Sequence, residues 1–181
     1  MTNREKITLV IACGIELILL LALIFVLIIQ EPDAEEIYKN NLQSVVELKA
    51  SSEYVGDSYG TAVFIDKEGT LVTNAHVVTY KKLDITYEFD NLSIRLATEG
   101  NYREVELVKF DENLDIAVLK LKEPDSVNFK PAKIGRSDKL KSGQKVYAIG
   151  NSINYGISIS EGIVGMPLIE IIYENKTRMA I

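Results

Sequence analysis

The sequence is poor in the residues on which several classes of protein depend. It has one cysteine, one histidine and no tryptophan in 181 residues. One cysteine excludes a disulfide-stabilised scaffold, and one histidine with one cysteine is too few for a zinc site of the usual kind. Basic residues are also scarce, at 20 against 26 acidic ones, and a net charge of −6 is unsuited to binding nucleic acid.

Two further absences narrow the fold and the chemistry. The single Gly-rich candidate, residues 150–156, lacks the lysine and the spacing of a phosphate-binding loop. No helix-length apolar period interrupts residues 54–181, which argues against alternating βαβ units and a dinucleotide-binding fold. The sequence therefore predicts a mainly β protein and implies no metal ion or organic cofactor.

The most prominent feature that is present is a long apolar run near the N-terminus. From Ile7 to Ile29, only Thr8, Gly14 and Glu16 lie outside the apolar set. As a helix the run would be about 35 Å long, enough to cross a hydrocarbon core of about 30 Å. Its seventeen Leu, Ile, Val and Phe residues favour insertion by about 7 kcal/mol, against a cost of about 3 kcal/mol for one ionisable group. Residues 7–29 are predicted to form one transmembrane helix after a cytoplasmic tail, residues 1–6.

The charges that flank this run predict its orientation. Arg4 and Lys6 precede it, whereas the residues that follow, 31–36, are rich in acidic side chains. The positive-inside rule then places the N-terminus in the cytoplasm. Everything after about residue 30 is expected outside the cytoplasm.

A cleaved signal peptide is the competing interpretation of the run. Such a peptide normally has a shorter apolar region and ends at a small-residue cleavage site, whereas Gln30-Glu31-Pro32 follows here. The segment Val10-Ile11-Ala12-Cys13 resembles a lipoprotein cleavage box, but few apolar residues precede it. Cys13 is therefore expected to be a small apolar packing residue. Glu16 is interpreted either as an intramembrane contact between copies or as a tolerated, protonated residue.

Residues 30–53 are predicted to form a spacer with a short helix and a first strand. Asp33 is placed to cap a helix, with Glu36 three positions later to complete a capping box. The pattern becomes β-branched at Val45-Val46-Glu47-Leu48, which favours a strand.

From residue 54 onward, short runs rich in Val, Ile, Thr, Tyr and Phe alternate with Gly, Asp and Asn, as in a sandwich or barrel. A hairpin turn is predicted at Asp66-Lys67-Glu68-Gly69. The predicted strands are Thr61–Ile65, Leu71–Thr73, Leu83–Phe89, Arg103–Phe110, Ile116–Leu121, Val146–Gly150, Ile157–Val164, Leu168–Ile172 and Arg178–Ile181.

One histidine and one carboxylate are the candidates for chemistry. His76 directly follows an apolar strand, and Asp115 opens the apolar run 116–121. A carboxylate at the mouth of a buried strand could accept the Nδ1 proton of the imidazole and stabilise the cation formed when the ring takes a proton. The same chemistry is open, on spacing alone, to three other aspartates: Asp111, Asp84 and Asp90.

Five blocks in this order resemble the trypsin-like serine proteases of the HtrA type. The blocks are Tyr59-Gly60-Thr61-Ala62-Val63-Phe64-Ile65, Gly69-Thr70-Leu71-Val72-Thr73-Asn74-Ala75-His76-Val77-Val78, Asp115-Ile116-Ala117-Val118-Leu119-Lys120, Gly143-Gln144-Lys145-Val146-Tyr147-Ala148-Ile149-Gly150-Asn151 and Gly162-Ile163-Val164. The resemblance implies a chymotrypsin-like double β-barrel over residues 54–181. It also implies that His76 is the general base and that Asp115 orients it.

The sequence departs from the family at the nucleophile. The family's serine lies in a Gly-Asn-Ser-Gly-Gly motif after the Gly-Ile-Val block, and these 181 residues contain no such motif. Ser152 aligns with an earlier loop of the family, while Ser158 and Ser160 fall on a strand, so none is expected to be the nucleophile. The resemblance places the missing serine beyond Ile181. The first barrel is expected complete over 54–122 and the second, from about 131, truncated, with open strand edges and low stability.

These features predict a membrane-anchored serine endopeptidase whose 181-residue chain is inactive because it lacks the nucleophile. A catalytically dead pseudoprotease that acts as an extracytoplasmic binding or scaffold module is the alternative, and a β-rich surface protein unrelated to proteases is a third. The resemblance implies protein or peptide substrates, a role in protein quality control and self-association. Family members are frequently trimers and often carry a C-terminal PDZ domain.

Overall fold

The computed structural model describes residues 2–29, 33–151, 155–167, 169–173 and 176–180. Its contacts divide the chain into two units, residues 1–33 and 34–181. The helices are α1 (Asn3–Ile29), α2 (Ala34–Asn41) and α3 (Ala75–Val78), with 3₁₀ turns at Pro124–Ser126 and Ser137–Lys139. The strands are β1 (Val45–Ser52), β2 (Gly56–Phe64), β3 (Thr70–Thr73), β4 (Thr79–Lys82), β5 (Ile85–Glu88), β6 (Asn91–Leu96), β7 (Arg103–Asp111), β8 (Ile116–Leu121), β9 (Lys145–Gly150), β10 (Ser158–Ile163), β11 (Ile169–Tyr173) and β12 (Lys176–Ala180).

The first unit is the apolar helix α1. Its 27 residues give a length of about 40 Å at 1.5 Å per residue, more than the thickness of a hydrocarbon core. The side chains from Thr2 to Phe25 are exposed on every face of the helix. An exposed apolar helix of this length and position suggests a membrane anchor or a signal sequence.

The second unit begins with α2, which starts at Ala34, directly after the predicted cap Asp33. The helix is attached to the rest of the unit through Tyr38, whose hydroxyl donates a hydrogen bond to the carbonyl of Ile157 at 2.6 Å. At the end of the helix, the side-chain amide of Asn41 donates to the carbonyl of Ile37 at 2.8 Å and satisfies one of its free acceptors.

Six antiparallel strands then close into a barrel, in the order β1-β2-β3-β8-β7-β6. The barrel closes because β1 pairs with β2 on one side and with β6 on the other; Leu48 lies opposite both Gly60 and Ile94. The expected mainly β, barrel architecture is confirmed. β1, predicted as a strand of the spacer, is thus an integral part of the barrel wall.

Alternating side chains fill the barrel. In β8, for example, Ala117, Leu119 and Leu121 point inward and are buried, whereas Val118 and Lys120 are half-buried on the outside. This two-residue period places one row of each strand in the core. The fully buried large side chains are Phe64, Leu48, Leu71, Ile94, Leu96, Leu119, Val46 and Val78.

Two local features confirm or correct the strand and turn predictions. At the predicted hairpin turn, Asp66 Oδ1 accepts hydrogen bonds from the backbone N–H groups of Glu68 and Thr70 at 3.0 and 2.9 Å, and Gly69 has φ +80°. The predicted strand 83–89 is confirmed over Ile85–Glu88, but its start is wrong. Leu83 and Asp84 have φ of 52° and 62° and form the two-residue turn between β4 and β5, a conformation that the sequence does not signal with Asn-Gly or Asp-Gly.

Strand β6 was not predicted, although three of its residues, Leu92, Ile94 and Leu96, are buried in the core. Polar residues alternate with them, and only the closed barrel gives this short run partners on both sides, β1 and β7. Pairing that is distant in sequence therefore decides its conformation.

The remaining strands form small sheets. β9 pairs with β10, and β11 pairs with β12, each antiparallel. Within the described part of the chain these are separate two-stranded sheets and do not close a second barrel. β9 nevertheless lies against the first barrel, because the backbone N–H of Asn151 donates to Thr61 Oγ1 at 2.8 Å and a side chain at Gly150 would lie 2.7 Å from the same oxygen.

Candidate active site

His76 is presented to solvent by a short helix that is buried on its other sides. In α3, Ala75, Val77 and Val78 are buried, while the side chain of His76 is 71% exposed. Val77 packs so closely on β2 that a Cβ added to Gly60 would lie 2.7 Å from its Cγ1. The apolar neighbours therefore determine which way the imidazole faces.

Hydrogen bonds hold both ends of this segment. Before it, Thr73 Oγ1 donates to the carbonyl of Thr61 at 2.7 Å. After it, Thr79 Oγ1 donates to the carbonyl of Ala75 at 2.8 Å and is buried. The first contact attaches the start of the histidine segment to β2, and the second holds the end of α3 to its own first turn.

Asp115 lies in the turn between β7 and β8, one residue before β8 begins. Its φ is 53°, in the left-handed region that aspartate tolerates better than most residues. The turn is stabilised by Asp111, whose Oδ1 accepts hydrogen bonds from the backbone N–H groups of Asn113 and Leu114 at 2.8 and 3.0 Å. The turn thus aims the Asp115 carboxylate at α3.

The structure brings His76 and Asp115 together. Nδ1 of His76 lies 2.8 Å from Oδ2 of Asp115, and the backbone N–H of His76 donates to Oδ1 of the same carboxylate at 3.0 Å. Asn74, which precedes α3, donates its side-chain amide to the Asp115 carbonyl at 3.1 Å and to Oδ2 at 3.2 Å. One carboxylate therefore receives three donors from a three-residue segment.

The three other candidate aspartates have different positions. Asp111 is used in the turn before Asp115, and Asp84 in the turn between β4 and β5. Neither these two nor Asp90 hydrogen-bonds to the imidazole within the residues that the structure describes. The geometry therefore selects Asp115 where spacing alone left four choices.

Opposing effects act on the pKa of Asp115. Partial burial of the carboxylate would raise this pKa, because it removes solvation from the anion. Hydrogen bonds from the backbone and ring of His76, the charge of His76 and the amide of Asn74 together outweigh burial, so the pKa lies below its ordinary value. Asp115 is consequently an anion at neutral pH.

With Nδ1 committed to Asp115, Nε2 is the ring nitrogen available for proton transfer. No residue in the described ranges hydrogen-bonds to Nε2, and no described hydroxyl reaches the ring. Ser158 instead donates to the carbonyl of Gly150 at 3.2 Å, and Ser160 lies on β10. Ser152 lies outside the described residues.

Two residues near the pair were not predicted from sequence. Asn74 could have been suspected from its place between an apolar strand and the histidine. Glu112 has no such signal; its Oε1 accepts from Thr86 Oγ1 at 2.8 Å and lies 3.0 Å from Lys81 Nζ. Glu112 thereby connects the β4–β5 hairpin to the loop that carries Asp115.

Comparison with known proteins assigns the family. A sequence model described as "Trypsin-like peptidase domain" matches residues 60–167. A probable periplasmic serine endoprotease, DegP-like, of Pseudomonas putida is 30% identical over 143 residues, covering 75% of this chain and 28% of the relative. Protease Do-like 1, chloroplastic, of Arabidopsis thaliana is 31% identical over 105 residues, or 58% of this chain and 22% of the relative.

A solved structure gives the same result. The HtrA-type protease AlgW with tripeptide matches with a TM-score of 0.63 and 28% identity, over 75% of this chain and 40% of that chain. The chain thus spans about a quarter of the length of the two curated relatives and less than half of the solved structure.

Proposed function

The chain belongs to the trypsin-like serine proteases of the HtrA type, and on that premise we propose that it is part of a membrane-anchored serine endopeptidase. His76 acts as general base and acid, and Asp115 orients it. The observation that carries this proposal is the 2.8 Å contact between His76 Nδ1 and Asp115 Oδ2, which leaves Nε2 directed away from the carboxylate. The reaction class is acyl transfer to water on protein or peptide substrates.

In this mechanism Nε2 removes the proton of a serine hydroxyl as that oxygen attacks the scissile carbonyl. The same nitrogen then donates the proton to the leaving amine, and in the second half-reaction it activates water. Asp115 remains ionised throughout and stabilises the imidazolium through Nδ1. Its lowered pKa suits this role, because a carboxylate that stays charged is the better partner for the cation.

We further propose that the 181-residue chain by itself does not hydrolyse peptides. Its sequence contains no Gly-Asn-Ser-Gly-Gly motif, and the backbone donors of an oxyanion hole are supplied around that serine in this family. The second candidate is a pseudoprotease that binds substrates or partners without cleaving them.

A fluorophosphonate probe, which reacts with activated serines, separates these proposals. The protein isolated from its native host should label, and His76→Ala should abolish labelling, whereas the 181-residue chain should remain unlabelled. Coding DNA after the Ile181 codon should then encode the missing motif. Absence of both labelling and motif in the native protein would favour the pseudoprotease. Labelling of the 181-residue chain would show that the nucleophile has been misassigned.

The location of the protein is also a proposal. Helix α1 anchors the chain with residues 1–6 in the cytoplasm and the barrel outside, in agreement with the periplasmic name of the Pseudomonas relative. In a Cys13→Ser background, a membrane-impermeant maleimide should label Asn101→Cys in spheroplasts and spare Thr2→Cys. The reverse pattern would overturn the proposed orientation. We also propose that the chain self-associates, because the resemblance to the family implies it.

A further inference from the structure

Asn74 occupies the position of a helix cap but does not cap the helix. It directly precedes α3 with extended backbone, and its side chain makes no capping hydrogen bond to the helix. Its amide nitrogen instead reaches the β7–β8 turn, 41 residues away in sequence, where it contacts two oxygens of Asp115. An N-cap side chain normally accepts a hydrogen bond from the helix through its oxygen; Asn74 makes no such bond and instead donates to Asp115, which suggests a role outside the helix.

The two contacts of Asn74 restrain different parts of Asp115. The 3.1 Å contact with the carbonyl restrains the peptide of a residue held at φ 53°, and the 3.2 Å contact with Oδ2 restrains the rotation of the carboxylate. The backbone N–H of His76 restrains the other oxygen, Oδ1, at 3.0 Å. Both carboxylate oxygens are therefore held by donors other than the imidazole, so the carboxylate stays in place when the ring changes protonation state.

We propose that Asn74 is a positioning residue that presets the Asp115 carboxylate for His76. The inference rests on the proposed function, since it concerns the same His–Asp pair. Asn74 acts through Asp115 and touches no reacting atom. All three donors to the carboxylate come from residues 74–76, and Asp115 itself lies in a turn of the same barrel, so the pair is assembled entirely within the first barrel.

The tautomer of the neutral imidazole tests this proposal without requiring catalysis. His76 is the only histidine, so the full chain labelled with ¹⁵N-histidine in detergent micelles gives signals from one ring. A preset carboxylate should hold the proton on Nδ1. In Asn74→Ala and Asn74→Leu the ratio of Nδ1–H to Nε2–H tautomers should fall about tenfold, as expected for losing one hydrogen bond to a charged group.

Asn74→Ala and Asn74→Leu both remove the amide donor but differ in side-chain size, so comparing them separates the loss of the hydrogen bond from altered packing. Asn101→Ala, at an exposed asparagine between β6 and β7, is the matched control and should leave the tautomer ratio unchanged. The amide spectrum of the barrel should be preserved in all three variants. Failure of both Asn74 variants to fold would contradict the proposal, because an exposed positioning residue is not required for folding.

The outcomes also separate this inference from the proposed function. If the wild-type ring shows no preference for the Nδ1–H tautomer, the His76–Asp115 interaction itself fails, and the proposed function with it. If the wild type shows the preference and both Asn74 variants retain it, only the role of Asn74 is refuted.

Discussion

Replacing Gly60 with alanine should displace the histidine segment without touching the candidate site directly. Gly60 lies on β2, where a Cβ would be 2.7 and 2.9 Å from the two γ carbons of Val77. Ordinary contact begins near 3.4 Å, so Val77 must move away by about 0.7 Å. Val77 is buried and adjacent to His76, and a movement of this size would lengthen the 2.8 Å Nδ1–Oδ2 contact to at most about 3.5 Å, the limit of a hydrogen bond.

The expected change in stability is the difference between two effects. Overpacking a buried position costs about 1–3 kcal/mol. Removing a glycine from the middle of a strand recovers about 0.5–1 kcal/mol. Gly60→Ala should therefore lower the free energy of unfolding by about 1 kcal/mol, within a range of about 0–2.5 kcal/mol.

Urea unfolding in detergent measures the stability, and the ¹⁵N spectrum of His76 measures the displacement. Gly100→Ala is the control, because nothing lies within 4 Å of a Cβ at Gly100. The double variant Gly60→Ala/Val77→Ala removes both methyl groups of Val77 that crowd the new Cβ. Its loss of unfolding free energy should be smaller, by at least about 0.5 kcal/mol, than the losses of the two single variants added together. The reasoning fails if Gly60→Ala matches Gly100→Ala in both stability and His76 spectrum.

Three further predictions concern charge and the apolar helix. The pKa of the Asp115 carboxyl is lower in the folded than in the unfolded chain. The stability that Asp115 contributes is therefore complete above the ordinary pKa of 3.8 and is lost as pH falls through the folded pKa. The urea midpoints of the wild type and Asp115→Asn should accordingly converge below about pH 4. Arg95→Met should lower the free energy of unfolding by about 3 kcal/mol, because the Glu47 carboxylate, only 6% exposed, loses the partner that lies 2.6 Å away. The control Arg136→Met removes an exposed ion pair and should cause no measurable loss of thermal stability. The wild-type chain should remain in membranes during carbonate extraction, and Leu17→Lys/Leu20→Lys, which adds about 5–7 kcal/mol to insertion, should be released; release of the wild type would contradict the anchor.

Features that depend only on residues close together in the sequence could be predicted from the sequence alone. The apolar run needs only its own length and composition to form α1, since each backbone hydrogen bond closes within a few residues. The turn at Asp66–Gly69 likewise depends on one aspartate and one glycine. The predicted barrel strands such as Arg103–Phe110 and Ile116–Leu121 differ from the observed ones by at most one residue, because alternation marks them locally.

The five ordered blocks identified the family, which the comparisons confirm. They also associated His76 with Asp115, and the structure places these two side chains within hydrogen-bond distance. Their catalytic roles, and the position of the nucleophile, stay proposals.

Only the tertiary structure decided the contacts between distant segments. β6 becomes a strand because the closed barrel supplies β1 and β7 on its two sides, and Leu83–Asp84 becomes a turn because β4 and β5 pair around it. The choice of Asp115 among four aspartates, and the reach of Asn74 across 41 residues to the same carboxylate, follow from the way β3 and β8 lie side by side. A linear sequence encodes local propensity and alternation directly, whereas side chains separated by forty residues acquire their partners only when the barrel closes.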